Sequence, residues 1–188
     1  VQPGQVTTWL NLASAYAITR RYGLAVANAR KAVTLAPNSA TPHFALGRFS
    51  EKNGDRATAE AEYRKAIQLD PQSATAMVAL ARILVDDGRN LDEARKLAVK
   101  ASQIEVDRPD AAILAAWVLH LQGDDRRAGD ELLKVVNAMP QNPDGWRKLA
   151  VIMRKLGRKE PAERAEAVAK QFLGQPRPEE TELLDGRE

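Results

Sequence analysis

The chain repeats itself at intervals of about 34 residues, and this periodicity limits its possible folds more than any other feature. The predicted copies run over residues 6–39, 40–73, 74–108, 109–142 and 143–172. One small position recurs in each copy, and it holds Ala13, Gly47, Ala81, Ala116 and Ala150. A single repeat of this length cannot bury its apolar face alone. The chain is therefore expected to be an array of stacked units.

Each repeat is predicted to contain two helices. In the first copy Trp9, Leu12 and Tyr16 recur three or four positions apart, which gives the segment one apolar face. The second copy is interrupted at Gly54-Asp55, where Gly can end one helix in the left-handed conformation and Asp can cap the next helix. Turns that contain Pro, such as residues 36–39, join one repeat to the next.

The order of residue types within a copy resembles the tetratricopeptide repeat (TPR). Its signature is an aromatic residue, a Leu-Gly pair, a Tyr, and then Ala, an aromatic residue, Ala and Pro over about 34 residues. The second copy matches this signature at the Leu-Gly pair with Leu46-Gly47, at the second aromatic position with Tyr63 and at the Pro position with Pro71. The resemblance extends from Val6 to about Phe172. It implies an all-α fold, a right-handed α-solenoid of about five helix-turn-helix repeats.

The two ends of the chain differ from the repeats. Residues 1–5 are predicted to be the stump of a preceding repeat, because Val1 and Pro3 fall where later copies carry Leu and Pro. On this reading the chain is a fragment of a longer array; an ordinary flexible start is the alternative. The tail over residues 173–188 is rich in Pro, Glu and Gly without sustained periodicity, so it is predicted to be flexible.

Two copies depart from the common spacing. The third has one extra residue between Gly88 and Ala94, which predicts a longer turn between its helices. In the fifth copy Glu166 replaces a bulky apolar residue, and charged residues surround it. A polar outer face is what a terminal repeat requires, so the last helix is predicted to cap the stack.

The sequence offers no catalytic or metal-binding constellation, and we expect neither an enzymatic activity nor a cofactor. It contains no Cys and two His residues. His43 stands where Trp9 and Trp146 stand in other copies, which favours a packing role, and His120 has no second His within one turn. The apolar run over residues 111–121 is far shorter than the ~20 residues that cross a bilayer. These features leave cytoplasm and periplasm equally open.

A formal net charge of +3 raises the possibility of nucleic-acid binding. Most basic residues alternate with acidic ones, which is typical of a solvated helix face. One cluster in the fifth copy does not, and it comprises Arg147, Lys148, Arg154, Lys155, Arg158 and Lys159. Phosphates could bind there, but the cluster lacks interleaved aromatic residues beyond Trp146. Nucleic acid is the disfavoured partner.

The resemblance implies instead that the first helix of each pair lines a concave groove for a protein or peptide. Carried over position by position, the groove residues are Leu10, Phe44, Arg48, Val78, Arg82, Ile113, Trp117, His120 and Arg147. Apolar anchors beside Arg and Trp are the usual composition of binding hot spots. The alternative is that Phe44 and Val78 serve packing between repeats. The carboxylate clamp of chaperone-type members is absent, because Leu10, Ser14 and Ala45 occupy its positions.

The sequence therefore predicts a protein-protein interaction scaffold that binds a partner segment in the groove. Its Ala- and Arg-rich composition favours a bacterial source, and the family suggests envelope assembly or polysaccharide export. The alternative is a regulatory or substrate-recruiting module attached to an enzyme domain outside this chain.

Overall fold

The computed structural model describes residues 3–173, which form helices joined by short turns. These residues divide into two compact units, the first extending to Val106 and the second beginning at Asp107. The first unit contains α1 (Pro3–Ile18), α2 (Tyr22–Leu35), α3 (Ala40–Lys52), α4 (Arg56–Leu69), α5 (Ala74–Asp86) and α6 (Leu91–Ile104). The second unit contains α7 (Pro109–Leu121), α8 (Asp125–Ala138), α9 (Pro143–Lys155) and α10 (Lys159–Phe172). The expectation of an all-α helical repeat fold is confirmed.

Helices pack in the order in which the chain forms them. In the first unit α1 packs on α2, α3 on α4 and α5 on α6, while α2 and α4 each contact the first helix of the next pair. In the second unit α7 packs on α8 and α9 on α10, and α8 contacts α9. First helices also meet directly, α1 with α3 and α7 with α9. Each pair thus buries its apolar face against its neighbours, as stacked repeats require.

Short turns within the pairs use the expected chemistry. Gly54, Gly123 and Gly157 have φ values of 84°, 89° and 75°, a left-handed conformation that ends the preceding helix. Asp55 then caps α4, since its side chain accepts a hydrogen bond from the Thr58 backbone N–H. In the first pair a non-glycine residue, Arg20, takes the left-handed position with φ 57°.

The turn between α5 and α6 is one residue longer than the other turns within pairs, as the sequence spacing predicts. Residues 87–90 form this turn, and it contains two left-handed residues, Gly88 with φ 62° and Asn90 with φ 48°. Arg89 lies between them and extends toward one acidic group on α4 and one in the turn itself. Its guanidinium donates hydrogen bonds of 2.8 Å to both Glu60 and Asp87. The longer turn is therefore tied to α4 through the guanidinium group of Arg89.

The small position of the repeat lies in the core of every pair, where Ala13, Gly47, Ala81, Ala116 and Ala150 are all buried. Gly47 shows why a small residue is needed. A Cβ atom added there would lie 2.8 Å from two ring carbons of Tyr63 and 3.2 Å from the carbonyl oxygen of Ala59. The close approach of α3 and α4 therefore depends on the missing side chain.

The described segment begins inside a helix, and the assignment of residues 1–5 to the stump of a preceding repeat stays a prediction. Pro3 begins α1 and residues 3–5 continue into that helix, whereas residues 37–39 form a turn at the corresponding place. The physical reason is that Pro is tolerated in the first turn of a helix, where no N–H is required. Residues 1–2 and the tail over 174–188 lie outside the described residues. On α10, Glu163, Arg164 and Lys170 are exposed, and Glu166 pairs with Arg154.

Within residues 3–173 no helix has the length and apolar character that crossing a bilayer demands.

Candidate functional site

The apolar groove positions of the first unit differ in burial. Leu10 on α1 and Phe44 on α3 are half-buried, and the ring of Phe44 lies 5.7 Å from that of Tyr63, centroid to centroid. Val78 on α5 is only 6% exposed. Leu10 and Phe44 therefore keep apolar surface available to a ligand, while Val78 is a core residue.

A cavity of about 400 Å³ opens beside Leu10 between the N-terminal ends of α1 and α3. Its walls are formed by Val6, Thr7, Leu10, Ala36, Ser39, Thr41 and Pro42. The lining is mixed, with aliphatic side chains next to hydroxyl groups. The repeat pattern identified Leu10, but it gave no sign of this cavity, because two helix ends and the turn at residues 36–39 form it together.

The basic groove positions of the first unit, Arg48 on α3 and Arg82 on α5, are exposed. The guanidinium carbon of Arg48 lies 5.1 Å from the ring centroid of Phe49, a cation–π distance. Among the described residues no carboxylate forms an ion pair with Arg48 or Arg82. By contrast, the arginines of α4 are paired: Arg56 with Asp87 and Arg64 with Glu60.

The hydroxyl of the buried Tyr63 is influenced by the charges of Glu51, Arg48 and Arg82. It donates a hydrogen bond of 2.7 Å to a carboxylate oxygen of Glu51. Burial raises the pKa of Tyr63 well above its usual value, the hydrogen bond and negative charge of Glu51 raise it further, and the charges of Arg48 and Arg82 oppose the rise. Charges of both signs thus act on this buried hydroxyl. The sequence pattern did not reveal the hydrogen bond between Tyr63 and Glu51, because Tyr63 belongs to a second helix.

The second unit arranges its predicted groove residues differently. Ile113 is 2% exposed and packs in the core, so it presents no surface to a ligand. Trp117 is half-buried, with its ring centroid 4.5 Å from that of His120 and 5.5 Å from the Nζ atom of Lys148. Arg147 on α9 is exposed. Trp117 and His120 thus lie together, with a lysine over the indole ring.

His120 also anchors the start of α8. Its Nδ1 atom is hydrogen-bonded to Asp125, and Lys155 lies 3.0 Å from the other carboxylate oxygen of the same residue. The hydrogen bond from His120 is the main cause that lowers the pKa of Asp125, and Lys155 adds to it. These contacts explain His120 as a structural link between α7 and α8.

Three of the six residues in the basic cluster of the fifth repeat have acidic partners. Lys148 lies 2.7 Å from Asp144, Arg154 pairs with Glu166, and Lys155 pairs with Asp125. Such pairing reduces the local positive potential that phosphates would require.

Histidine and carboxylate groups are not assembled for metal binding within residues 3–173, where no group of three potential ligands occurs. His43 is 7% exposed and packs at the repeat position predicted for it. Its Nδ1 atom lies 2.6 Å from Glu62, and its Nε2 atom lies 2.9 Å from the carbonyl oxygen of Pro37.

Comparison with known proteins identifies the fold. Similar solved structures include PilF of Pseudomonas aeruginosa (22% identity, TM-score 0.80, 92% of this chain and 78% of that chain). PilW, described as a widely conserved type IV pilus biogenesis factor, matches with 18% identity and a TM-score of 0.80 over 92% of this chain and 79% of that chain. YrrB, described as a TPR protein with an unusual peptide-binding site, matches with 18% identity and a TM-score of 0.71 over 88% and 84%. At these identities the likeness shows the fold alone.

The sequence matches none of the curated proteins. A family model described as the middle TPR-like domain of cilia and flagella-associated protein 70 matches residues 9–173. This match covers most of the chain and agrees with the helix pairs and the small core positions. The chain therefore belongs to this family of tetratricopeptide-repeat domains.

Proposed function

We propose that the chain is a protein-interaction module that binds an extended segment of a partner protein along its first helices. One observation carries the proposal. The first helices of the first unit present two half-buried apolar side chains, Leu10 and Phe44, and two exposed arginines, Arg48 and Arg82, which form no ion pair with a described residue. Accessible apolar and arginine side chains on one surface are typical anchors of a binding site.

In the second unit the corresponding anchoring side chain is that of Trp117. Its indole ring is half-buried and lies between His120 and Lys148, so one part of the ring remains accessible. A fixed aromatic ring costs little conformational entropy on binding and offers a large contact area. Trp117 is therefore proposed as the anchor of the second unit, and Ile113 is not included.

Scaffolding is the general role of tetratricopeptide repeats, and the proposal assigns no catalytic step to this chain. For its setting we propose assembly of the bacterial envelope or export of polysaccharide. PilW, one of the similar structures, is described as a pilus biogenesis factor. Affinity capture with mass spectrometry from cells that express the native-length protein tests this setting.

The binding surface itself is tested with peptides. A random peptide library is selected on the full 188-residue chain, and the recovered peptides are titrated by fluorescence anisotropy. Phe44→Ala and Trp117→Ala remove anchors, so at least one should weaken binding of a given peptide by about 1–2 kcal/mol.

Gln68→Ala, on the exposed part of α4, is the matched control and should leave the affinity unchanged. Lys159→Glu, on α10, examines the basic end of the array. If affinity falls only for Lys159→Glu, the peptide binds at the basic fifth repeat and the proposal is wrong. Recovery of no peptide that depends on the first helices contradicts it as well.

A further inference from the structure

The turn between α1 and α2 differs in sequence from the other turns within helix pairs. In the other four pairs the residue that follows the first helix in the left-handed conformation is a glycine, namely Gly54, Gly88, Gly123 and Gly157. In the first pair it is Arg20, with φ 57°. This conformation is unfavourable for a residue that has a Cβ atom, and strained residues of this kind gather at functional sites.

The residues on either side of Arg20 also differ from their counterparts in other repeats. Ile18 ends α1, whereas a charged residue ends α3, α5 and α9. Arg21 precedes α2, at the place where Asp55 caps α4 and Asp124 caps α8. The first pair thus has one apolar and two basic residues where other pairs have a charged residue, a glycine and a capping aspartate.

These side chains are exposed and lack acidic partners. Ile18 is 83% exposed, the largest exposed fraction of any large apolar residue that the structure describes, and Leu24, near the start of α2, is 40% exposed. Residues 1–50 contain no Asp or Glu. Within residues 3–173, no carboxylate forms an ion pair with Arg20 or Arg21. Residues 18–24 therefore present apolar surface together with positive charge.

The backbone of this turn is held in place by hydrogen bonds. The Arg21 N–H donates one of 2.9 Å to the carbonyl oxygen of Tyr16, and the Arg20 N–H donates one of 3.0 Å to that of Ala17. This pair of bonds is the usual end of a helix that stops in the left-handed conformation. The backbone that carries Ile18 and the two arginines is thus ordered before any ligand binds, which lowers the entropy cost of binding.

We propose that residues 18–24 bind the surface of a membrane that contains anionic phospholipid, with Ile18 at the boundary of the acyl chains and Arg20 and Arg21 on the phosphate groups. The inference goes beyond the proposed function, because it concerns the turn at one end of the first pair and requires no protein partner.

A lipid surface suits these residues better than an acidic protein does. Binding of a peripheral protein to a bilayer strengthens with the apolar area that it buries and with its attraction to anionic lipids. Each Arg or Lys near such a surface strengthens binding roughly fivefold. Because Ile18 is almost wholly exposed, it lines no recess for a protein side chain, whereas fluid acyl chains can surround it without a matching shape. One apolar side chain and two charges predict weak, reversible binding.

The test is co-sedimentation of the full 188-residue chain with vesicles that contain equal parts of phosphatidylglycerol and phosphatidylcholine. Binding should exceed binding to pure phosphatidylcholine vesicles by at least about tenfold, because two arginines contribute. It should weaken as salt rises, because exposed charges are screened. Ile18→Asp should weaken binding by at least about tenfold, because it replaces the inserted side chain with a charge that anionic lipid repels.

A second variant separates the lipid contact from folding. Arg20→Gly combined with Arg21→Asp gives the turn the Gly-Asp sequence of residues 54–55. This variant should be at least as stable in urea as the parent chain, because Gly accepts the left-handed conformation and Asp can cap α2. Its binding to the anionic vesicles should nevertheless fall by at least about tenfold. Arg158→Asp, which changes the residue before α10 in the same manner, is the control and should leave vesicle binding unchanged.

Several results would overturn the inference. Absence of binding to the anionic vesicles, equal binding to both kinds of vesicle, or binding that the variants at residues 18, 20 and 21 leave unchanged would each show that this turn is not a lipid contact. Binding of poly-glutamate that depends on Arg20 and Arg21, without binding to vesicles, would assign the turn to an acidic protein instead. The peptide titrations with Phe44→Ala and Trp117→Ala do not depend on these outcomes, so the proposed function is judged separately.

Discussion

The Nε2 atom of His43 lies 2.9 Å from the carbonyl oxygen of Pro37, six residues earlier in the turn between the first two repeats. The fifth repeat makes the same connection with a different residue, since the indole N–H of Trp146 donates a hydrogen bond of 2.7 Å to the carbonyl oxygen of Pro140. In these two repeats a ring nitrogen therefore binds the turn that precedes the helix. His43 adds a second contact through Nδ1, which lies 2.6 Å from Glu62.

We predict that His43→Phe, which keeps a ring but removes both nitrogens, lowers the free energy of unfolding by about 1–3 kcal/mol, because a carbonyl and a carboxylate lose their partner. His43→Trp should recover part of the loss, since its indole N–H can reach Pro37 as Trp146 reaches Pro140. Urea unfolding followed by circular dichroism measures both variants. Equal stability of His43→Phe and the parent chain would show that the ring acts through packing alone.

A second prediction concerns Gly47, where an added Cβ would lie 2.8 Å from the Tyr63 ring. Gly47→Ala should lower the stability by about 1–3 kcal/mol through overpacking. Gly23→Ala is the control, because its nearest neighbour would be the Asn53 side chain at 4.0 Å. That substitution should be neutral or stabilise α2 by up to about 1 kcal/mol.

Coupling to the tyrosine provides the sharper measurement. In a double-mutant cycle, Tyr63→Leu should reduce the cost of Gly47→Ala, because it removes the ring atoms that the new methyl group meets. Additive effects of the two substitutions would contradict this explanation.

Periodicity was sufficient to predict the helix pairs, the buried small positions and the longer turn at residues 87–90. These features follow from the sizes and spacing of side chains within one copy. The repeat position was not sufficient to predict the exposure of each groove residue, which depends on neighbours in other helices. Ile113 is an example: the Cδ1 atom of Ile113 approaches within 3.4 Å of the place where a Cβ would stand at Gly145. A missing side chain on α9 thus makes room for Ile113 in the core.

The same distinction applies to the charged residues: the sequence predicted which helix carries each of them, but not which of them form ion pairs. Repeat numbering placed Arg48, Arg82 and Arg147 on the first helices without saying which would find partners. The structure leaves Arg48 and Arg82 exposed, whereas it pairs Arg56 with Asp87 in the turn after α5 and Arg64 with Glu93 on α6, so these partners come from the next helix pair. Sequence spacing within one repeat does not contain that information.

A third prediction uses the network at the longer turn. Hydrogen bonds from Arg64 and then Arg89 lower the pKa of Glu60 below its ordinary value. A depressed carboxyl pKa contributes stability that is present above the unfolded-state pKa of about 4.3 and is lost as pH falls through the lower folded-state pKa. Glu60→Gln should therefore cost about 0.5–1 kcal/mol at neutral pH, discounted for the exposed arginines.

The difference between Glu60→Gln and the parent chain should disappear near the acid end of the folded range, where Glu60 is protonated. Urea titrations at several pH values measure it. Lys134→Gln, which removes an exposed pair between Lys134 and Glu131 on α8, serves as the control and should stay within about 0.5 kcal/mol. A difference that is constant with pH would show that Glu60 acts through packing and not through its charge.

The last prediction concerns the order in which the first unit opens. From residue 4 onward, Ala13 is the single buried residue of α1, while Leu12 and Ile18 are 38% and 83% exposed. In α5 eight residues are buried, among them Leu80. Helices with few buried apolar contacts open at lower free energy, so amide hydrogens over residues 6–19 should exchange at least about tenfold faster than those over 74–84. Leu12→Ala should leave the global stability within about 1 kcal/mol, whereas Leu80→Ala should cost about 2–5 kcal/mol. Uniform protection of both segments, or equal costs of the two substitutions, would show that α1 is held as firmly as α5.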